Sequence, residues 1–214
     1  MSEAMVTVLI SAGATVAVST VTLIVNAYIE RFKSKIEIQQ NMIKSKRENL
    51  SDVYMKLINI INLYPSSSPN DILNYVENPP NYSMEYFDAV LSNISCQVDD
   101  YKNQLNNESI GHELKYHIET QISNREYAKK QIIENRDKYF VAKDKYKSFC
   151  ESDKVTFELY AGQEVRNRLV QFEIVINNVF ISGRFAGEDG DPVNNIIHVS
   201  RRNLIDSMRF DLGI

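Results

Sequence analysis

A chain of 214 residues with a net charge of −4 has room for one ordinary domain plus a segment outside it, and its charge disfavours a nucleic-acid partner. With only seven glycines and five prolines, it favours long helices over turn-rich β structure. Two cysteines, Cys96 and Cys150, stand far apart with no CxxC pair; reduced thiols are expected, with a disulfide between them as the alternative.

Residues 4–29 carry no charged side chain and lie between Glu3 and Glu30. The run is longer than the roughly 20 residues that cross a hydrocarbon core. Its start, "MSEAMV", lacks the basic residues of a signal peptide. The sequence therefore predicts a transmembrane anchor over residues 1–29. Arg31, Lys33, Lys35, Lys44, Lys46 and Arg47 follow, against Glu30 and Glu37. That bias predicts the amino terminus outside, residues 30–214 in the cytoplasm, and placement as a single-pass protein of a bacterial inner membrane. The same basic stretch is expected to touch the lipid bilayer.

Polar residues within the run recur at steps of three or four: Thr7, Ser11, Thr15, Ser19, Thr22 and Asn26. On a helix they share one arc. Thr15, Ser19, Thr22 and Asn26 are therefore candidates for helix association within a homo-oligomer. The competing reading has each hydroxyl bonded to its own preceding carbonyl.

No proline or glycine occurs between Ala14 and Tyr64, so the helix is predicted to continue past the anchor. Ile29, Ile36, Ile43, Leu50, Leu57 and Tyr64 recur every seven residues, with Phe32, Gln39, Lys46, Val53 and Ile60 as companions. This is a coiled-coil-like seam with a polar middle. Its cytoplasmic part is expected to be covered by the domain's own helices; cover by another chain is the alternative.

Pro65 ends that helix, and residues 65–82 read as a loop region with a short helical segment at Asp71–Glu77. The region is a candidate partner-facing loop or an ordinary connector. Ser83 can cap a helix carrying Met84, Phe87, Leu91, Ile94, Val98, Tyr101 and Leu105 on one face. A further helix is predicted from about Ile110 to Phe149. "VTFELY", 155–160, alternates like a strand, but with no second strand to pair with it reads as helix or irregular. A buried helix is expected up to Ile181. Asp191 and Pro192 are expected to start a last helix over Val193–Phe210. The fold class is all-α: a transmembrane helix continuing into a long cytoplasmic helix, packed in an antiparallel helical bundle over 30–214.

Catalytic and metal motifs fail on spacing. His112 and His117 in "HELKYH" are five apart, where a helical zinc pair needs four. "GEDGD" lacks the twelfth-position glutamate of a calcium loop. Neither a phosphate-cradling glycine loop nor a nucleophile elbow occurs, so the reading is non-enzymatic, with no cofactor. Arg166, Arg168 and Arg209 are expected to pair with carboxylates such as Glu164 or Asp211 and to pin the last helix; recognition of an acidic partner is the alternative.

The uncharged amino-terminal run, "KRENLSDVYMKLI", "FELYAGQEVRNRLVQF" and "MRFDLGI" resemble stretches of a loose group of uncharacterised bacterial single-pass membrane proteins, many on mobile elements. The resemblance implies architecture and supplies no catalytic residues. The expected function is a membrane-tethered helical scaffold or regulatory module contacting an unknown protein partner. The alternative is a phage-defence or phage-exclusion effector that oligomerises in the membrane.

Overall fold

The computed structural model describes residues 3–106 and 111–214, with side chains described from Thr22 onward. Among the described residues every regular element is helical. The order is α1 (Glu3–Ile61), α2 (Pro69–Leu73), a 3₁₀ turn (Met84–Tyr86), α3 (Phe87–Leu105), α4 (His112–Ser152), α5 (Lys154–Tyr160), α6 (Gln163–Phe180) and α7 (Ile196–Leu212). The chain divides into Met1–Glu48, whose described residues belong to α1, and Asn49–Ile214, which holds the end of α1 and the other helices.

The membrane assignment is corrected. Among the described residues no helix is long and apolar enough to cross a membrane. The uncharged run of α1 is interrupted by hydroxyl and amide side chains, Thr22 and Asn26 among them, and charge begins at Glu30. A crossing needs about 20 apolar residues. The single-pass, amino-terminus-out placement in a bacterial inner membrane and the transmembrane part of the fold class are therefore set aside.

The main core is built on the carboxyl end of α1, where Leu50, Val53, Tyr54, Leu57 and Ile61 are buried. Around it pack Tyr139, Ala142 and Phe149 of α4, Phe157 of α5, a stripe from α6, and Ile197, Leu204 and Met208 of α7. The α6 stripe is Val165, Leu169, Phe172, Ile176 and Val179, alternating steps of four and three, which turns one face inward. A second core joins Ile72, Leu73 and Val76 to Phe87, Val90 and Ile94 of α3 and Ala128 and Ile132 of α4. Helix α4 thus serves both cores, one with each half. It runs antiparallel to α3: Lys102 meets Glu126 at 2.9 Å and Ser95 meets Lys129 at 2.6 Å.

"VTFELY" is helical, as α5, with Phe157 buried. The short helix in the 65–82 region is Pro69–Leu73, where the Ser68 hydroxyl accepts from Asp71 N at 2.9 Å. Side chains from elsewhere hold this region's backbone. Asn135 donates to Ser67 O at 2.9 Å, Asn195 to Ser66 O at 3.0 Å and Arg201 to Tyr64 O at 2.8 Å. Asn70 donates to Gly183 O and accepts from Tyr82 N. Gly183 has φ +74°, and a Cβ there would overlap the Tyr82 carbonyl oxygen, so this crossing requires glycine.

Helix α7 starts later than the sequence suggests. Asp191 closes a turn by accepting from Val193 N and Asn194 N. Asn195 is the cap instead, accepting from Ile197 N and His198 N while its amide donates to Ser66 O and Gly187 O. Gly213, at φ +72°, ends the helix in a left-handed cap.

One charge lies inside the second core's edge. Arg125 is 1% exposed, and its partners are neutral: Gln97 Oε1 at 2.9 Å, Gln121 Oε1 at 2.5 Å and Glu77 O at 2.7 Å. Its guanidinium lies 4.6 Å from the Tyr101 ring centroid. Removing it leaves these acceptors, the buried Gln121 side chain among them, without their donor. Arg125→Ala is expected to cost about 2–4 kcal/mol in urea unfolding, and an unchanged midpoint would show that water replaces the guanidinium.

Buried tyrosines set the alkaline limit. Burial pushes the Tyr54, Tyr64, Tyr139 and Tyr146 hydroxyls above their ordinary range, and Tyr82 up to about 12. An unfolded tyrosine ionises near pH 10. Above that pH the unfolded chain binds fewer protons than the folded one, so stability is complete below about pH 10 and falls as pH rises. Phenolate absorbance from these five is expected to appear together with loss of helical circular dichroism. Gradual ionisation of all tyrosines with helicity intact would contradict this account.

Candidate functional site

Burial along α1 changes abruptly at one position. Every residue from Thr22 to Asn49 is exposed, and Leu50 is fully buried. The seam residues Ile29, Phe32, Ile36 and Ile43 are 43%, 58%, 38% and 53% exposed, whereas Leu50, Val53 and Leu57 are at most 3% exposed. The chain's own helices therefore cover the later part of the seam and leave the earlier part bare. Single exposed apolar residues are ordinary, but a seven-residue repeat of them is not.

The flanks of the bare seam are basic or neutral. With Ile29, Ile36 and Ile43 at the first heptad position and Phe32, Gln39 and Lys46 at the fourth, the flanking fifth and seventh positions hold Lys33, Lys35, Gln40, Met42 and Arg47. Glu30, Glu37 and Glu48 fall on the outer face. Lys44 and Glu48 approach to 3.9 Å there, but both side chains are largely solvated, so the pair contributes little.

Of the helix-association candidates, Thr15 and Ser19 lie outside the described residues. Thr22 and Asn26 are exposed, and Thr22 stands seven residues before Ile29, in the same register. The expected cover of the seam's later part by the chain's own helices holds from Leu50 onward and not at Ile36 and Ile43. The polar pair Gln39 and Lys46 was the available signal that part of it stays open.

The arginine candidates separate. Arg168 pairs with Glu164 at 2.7 Å and Arg209 with Asp206 at 3.2 Å, both on single helices. Arg166 donates to Glu158 O at 3.4 Å and forms no ion pair with Asp211 in the structure, while its Nε has no partner. Asp211 is held by other groups. It accepts from the Tyr54 hydroxyl at 2.5 Å and from Gly162 N at 2.9 Å. A Cβ at Gly162 would stand 2.7 Å from Asp211 Oδ1. The stretches "LYAGQEV" and "MRFDLG" thus meet at this carboxylate, and Tyr54 of α1 meets them both. With burial the larger cause, the hydrogen bond to Asp211 holds the Tyr54 hydroxyl far above its ordinary pKa.

The histidines lie apart. His117 Nε2 is 3.8 Å from Glu77, and His198 Nε2 is 2.9 Å from Asp189 O. Among the described residues no group of three or more His, Cys, Asp or Glu side chains is placed to hold a metal ion. Both cysteines are free thiols.

The Asp211 contact gives a direct test of how α7 is held. Tyr54→Phe is expected to destabilise by about 1.5–3 kcal/mol, since it removes a hydrogen bond to a charged acceptor, and Gly162→Ala to destabilise by displacing the carboxylate. Chemical denaturation checks both; a neutral Tyr54→Phe would mean that Gly162 N alone satisfies Asp211. Comparison with protein-family models, with curated proteins and with solved structures found no match to this chain.

Proposed function

We propose that this chain is a non-catalytic helical interaction module that pairs with a second copy of itself through residues 22–49 of α1. The observation that carries the reading is the bare seam, continuous over four heptads, about 42 Å at 1.5 Å per residue. Isoleucine occupies three successive first positions, the β-branched type that parallel two-stranded coiled coils take there.

The flanking charges support the same pairing. In a parallel, in-register pair the seventh position of one copy faces the fifth position of the next heptad in the other. That sets Tyr28 against Lys33, Lys35 against Gln40 and Met42 against Arg47. Each cation meets a neutral side chain, so no like charges oppose each other on the flanks. Gln39 meets its own counterpart inside the seam, where a polar pair fixes register at some cost in stability. Lys46 repels its counterpart at the end of the bare stretch, just before the chain's own helices take over at Leu50. The module would act as a scaffold, bringing two bundles to one place for a further protein partner.

The test is the solution mass of the full chain by sedimentation and light scattering. A dimer is expected. Ile36→Glu with Ile43→Glu should yield a monomer with unchanged thermal stability of the bundle, because both side chains are exposed within one chain. A wild-type monomer, or a dimer that survives the double substitution, would sink the proposal.

A further inference from the structure

Residues at and just beyond α1's carboxyl end, with α4 and α6, line a partly open cavity of about 180 Å³. Three of its walls are aromatic: Tyr64, Tyr139 and Phe172 are 8%, 2% and 2% exposed. Tyr64 meets Phe172 edge-on with centroids 5.7 Å apart and lies 6.1 Å from Tyr139. Leu169 and Ile176 complete the apolar lining. Interiors are normally close-packed, with few voids larger than a water molecule. Apolar walls also offer water few partners. A dry cavity of about 150 Å³ lined by such side chains accepts benzene, so this space has the size of one aromatic ring with a substituent.

The polar groups at the cavity are specific in kind. Half-buried Glu173 lines the cavity together with Tyr146. Lys143 stands further out, 5.8 Å from the Tyr139 ring centroid, with an exposed side chain. The cavity therefore combines aromatic walls with one carboxylate acceptor. A few placed polar groups in an apolar concavity are what small-molecule sites are made of.

We infer that this cavity is a binding site for a single-ring aromatic molecule bearing an O–H or N–H group, with the ring among Tyr64, Tyr139 and Phe172 and the donor on the Glu173 carboxylate. This site is independent of self-association through α1. An aromatic carboxylate is disfavoured, because its charge would lie beside that of Glu173.

The experiment is calorimetric titration of the full chain with phenol, benzene and benzoate, with NMR of the phenol complex. Phenol is expected to bind saturably, more tightly than benzene, with benzoate not binding. Phenol protons should show nuclear Overhauser contacts to the Tyr64 and Phe172 rings. Glu173→Gln, at a half-exposed position that does not threaten the fold, should weaken phenol about tenfold and leave benzene unchanged. Absence of saturable phenol binding would overturn the assignment. So would phenol binding unchanged in Glu173→Gln, or contacts only to aromatic rings outside the cavity.

Discussion

The bundle depends on the Tyr54–Asp211 hydrogen bond and the burial around it. Tyr54 is enclosed among apolar side chains and can be there only because its hydroxyl has an acceptor. Half-buried Asp211 is satisfied there by that hydroxyl and a backbone amide. Gly162 lets the two come together, since any larger residue would occupy the carboxylate's place. One contact therefore ties α1, the α5–α6 junction and α7. The apolar surfaces of α4 and α6 then close around the α1 segment that this contact fixes.

Asparagine does comparable work at the opposite loops. Asn70, Asn135 and Asn195 each present an amide to a backbone group of a different segment; those of Asn70 and Asn195 link the 65–82 and 182–195 connections to each other. Arg125 does the same beside α3 with a charged group and neutral partners. The protein thus holds its irregular backbone with buried polar side chains, and its helices with apolar stripes.

Features with a strict period were legible in the sequence. The α6 stripe, the α3 face and the helical character of the whole domain follow from spacing alone. The start of α7 did not, because Asp191, Asn194 and Asn195 are all competent caps and only the contact of Asn195 with Ser66 decides between them. Arg125 reads as one more charge on a polar helix; its burial arises from the packing of Gln97, Gln121 and Glu77 around it, which no local pattern encodes. The seam was legible as a seam. Ile43 and Leu50 are equivalent in sequence, and the division between bare and covered depends on where the later helices reach. Lack of charge in the amino-terminal run points to a membrane crossing, but that criterion takes no account of the hydroxyl and amide side chains within it, Thr22 and Asn26 among them. The cavity beside Tyr64 left no trace in the sequence, because it is a shortfall of volume between three helices.

The arrangement of contacts along the chain also bears on how the protein folds. The pairs α3–α4 and α6–α7 join neighbours in sequence, so little chain entropy opposes their formation. Tyr54 and Asp211 are 157 residues apart, and their contact closes nearly the whole bundle into one loop. Contacts within each of these pairs close short loops, whereas docking the Tyr54 segment of α1, the helix that comes first in the chain, closes a long one and carries the larger entropic cost.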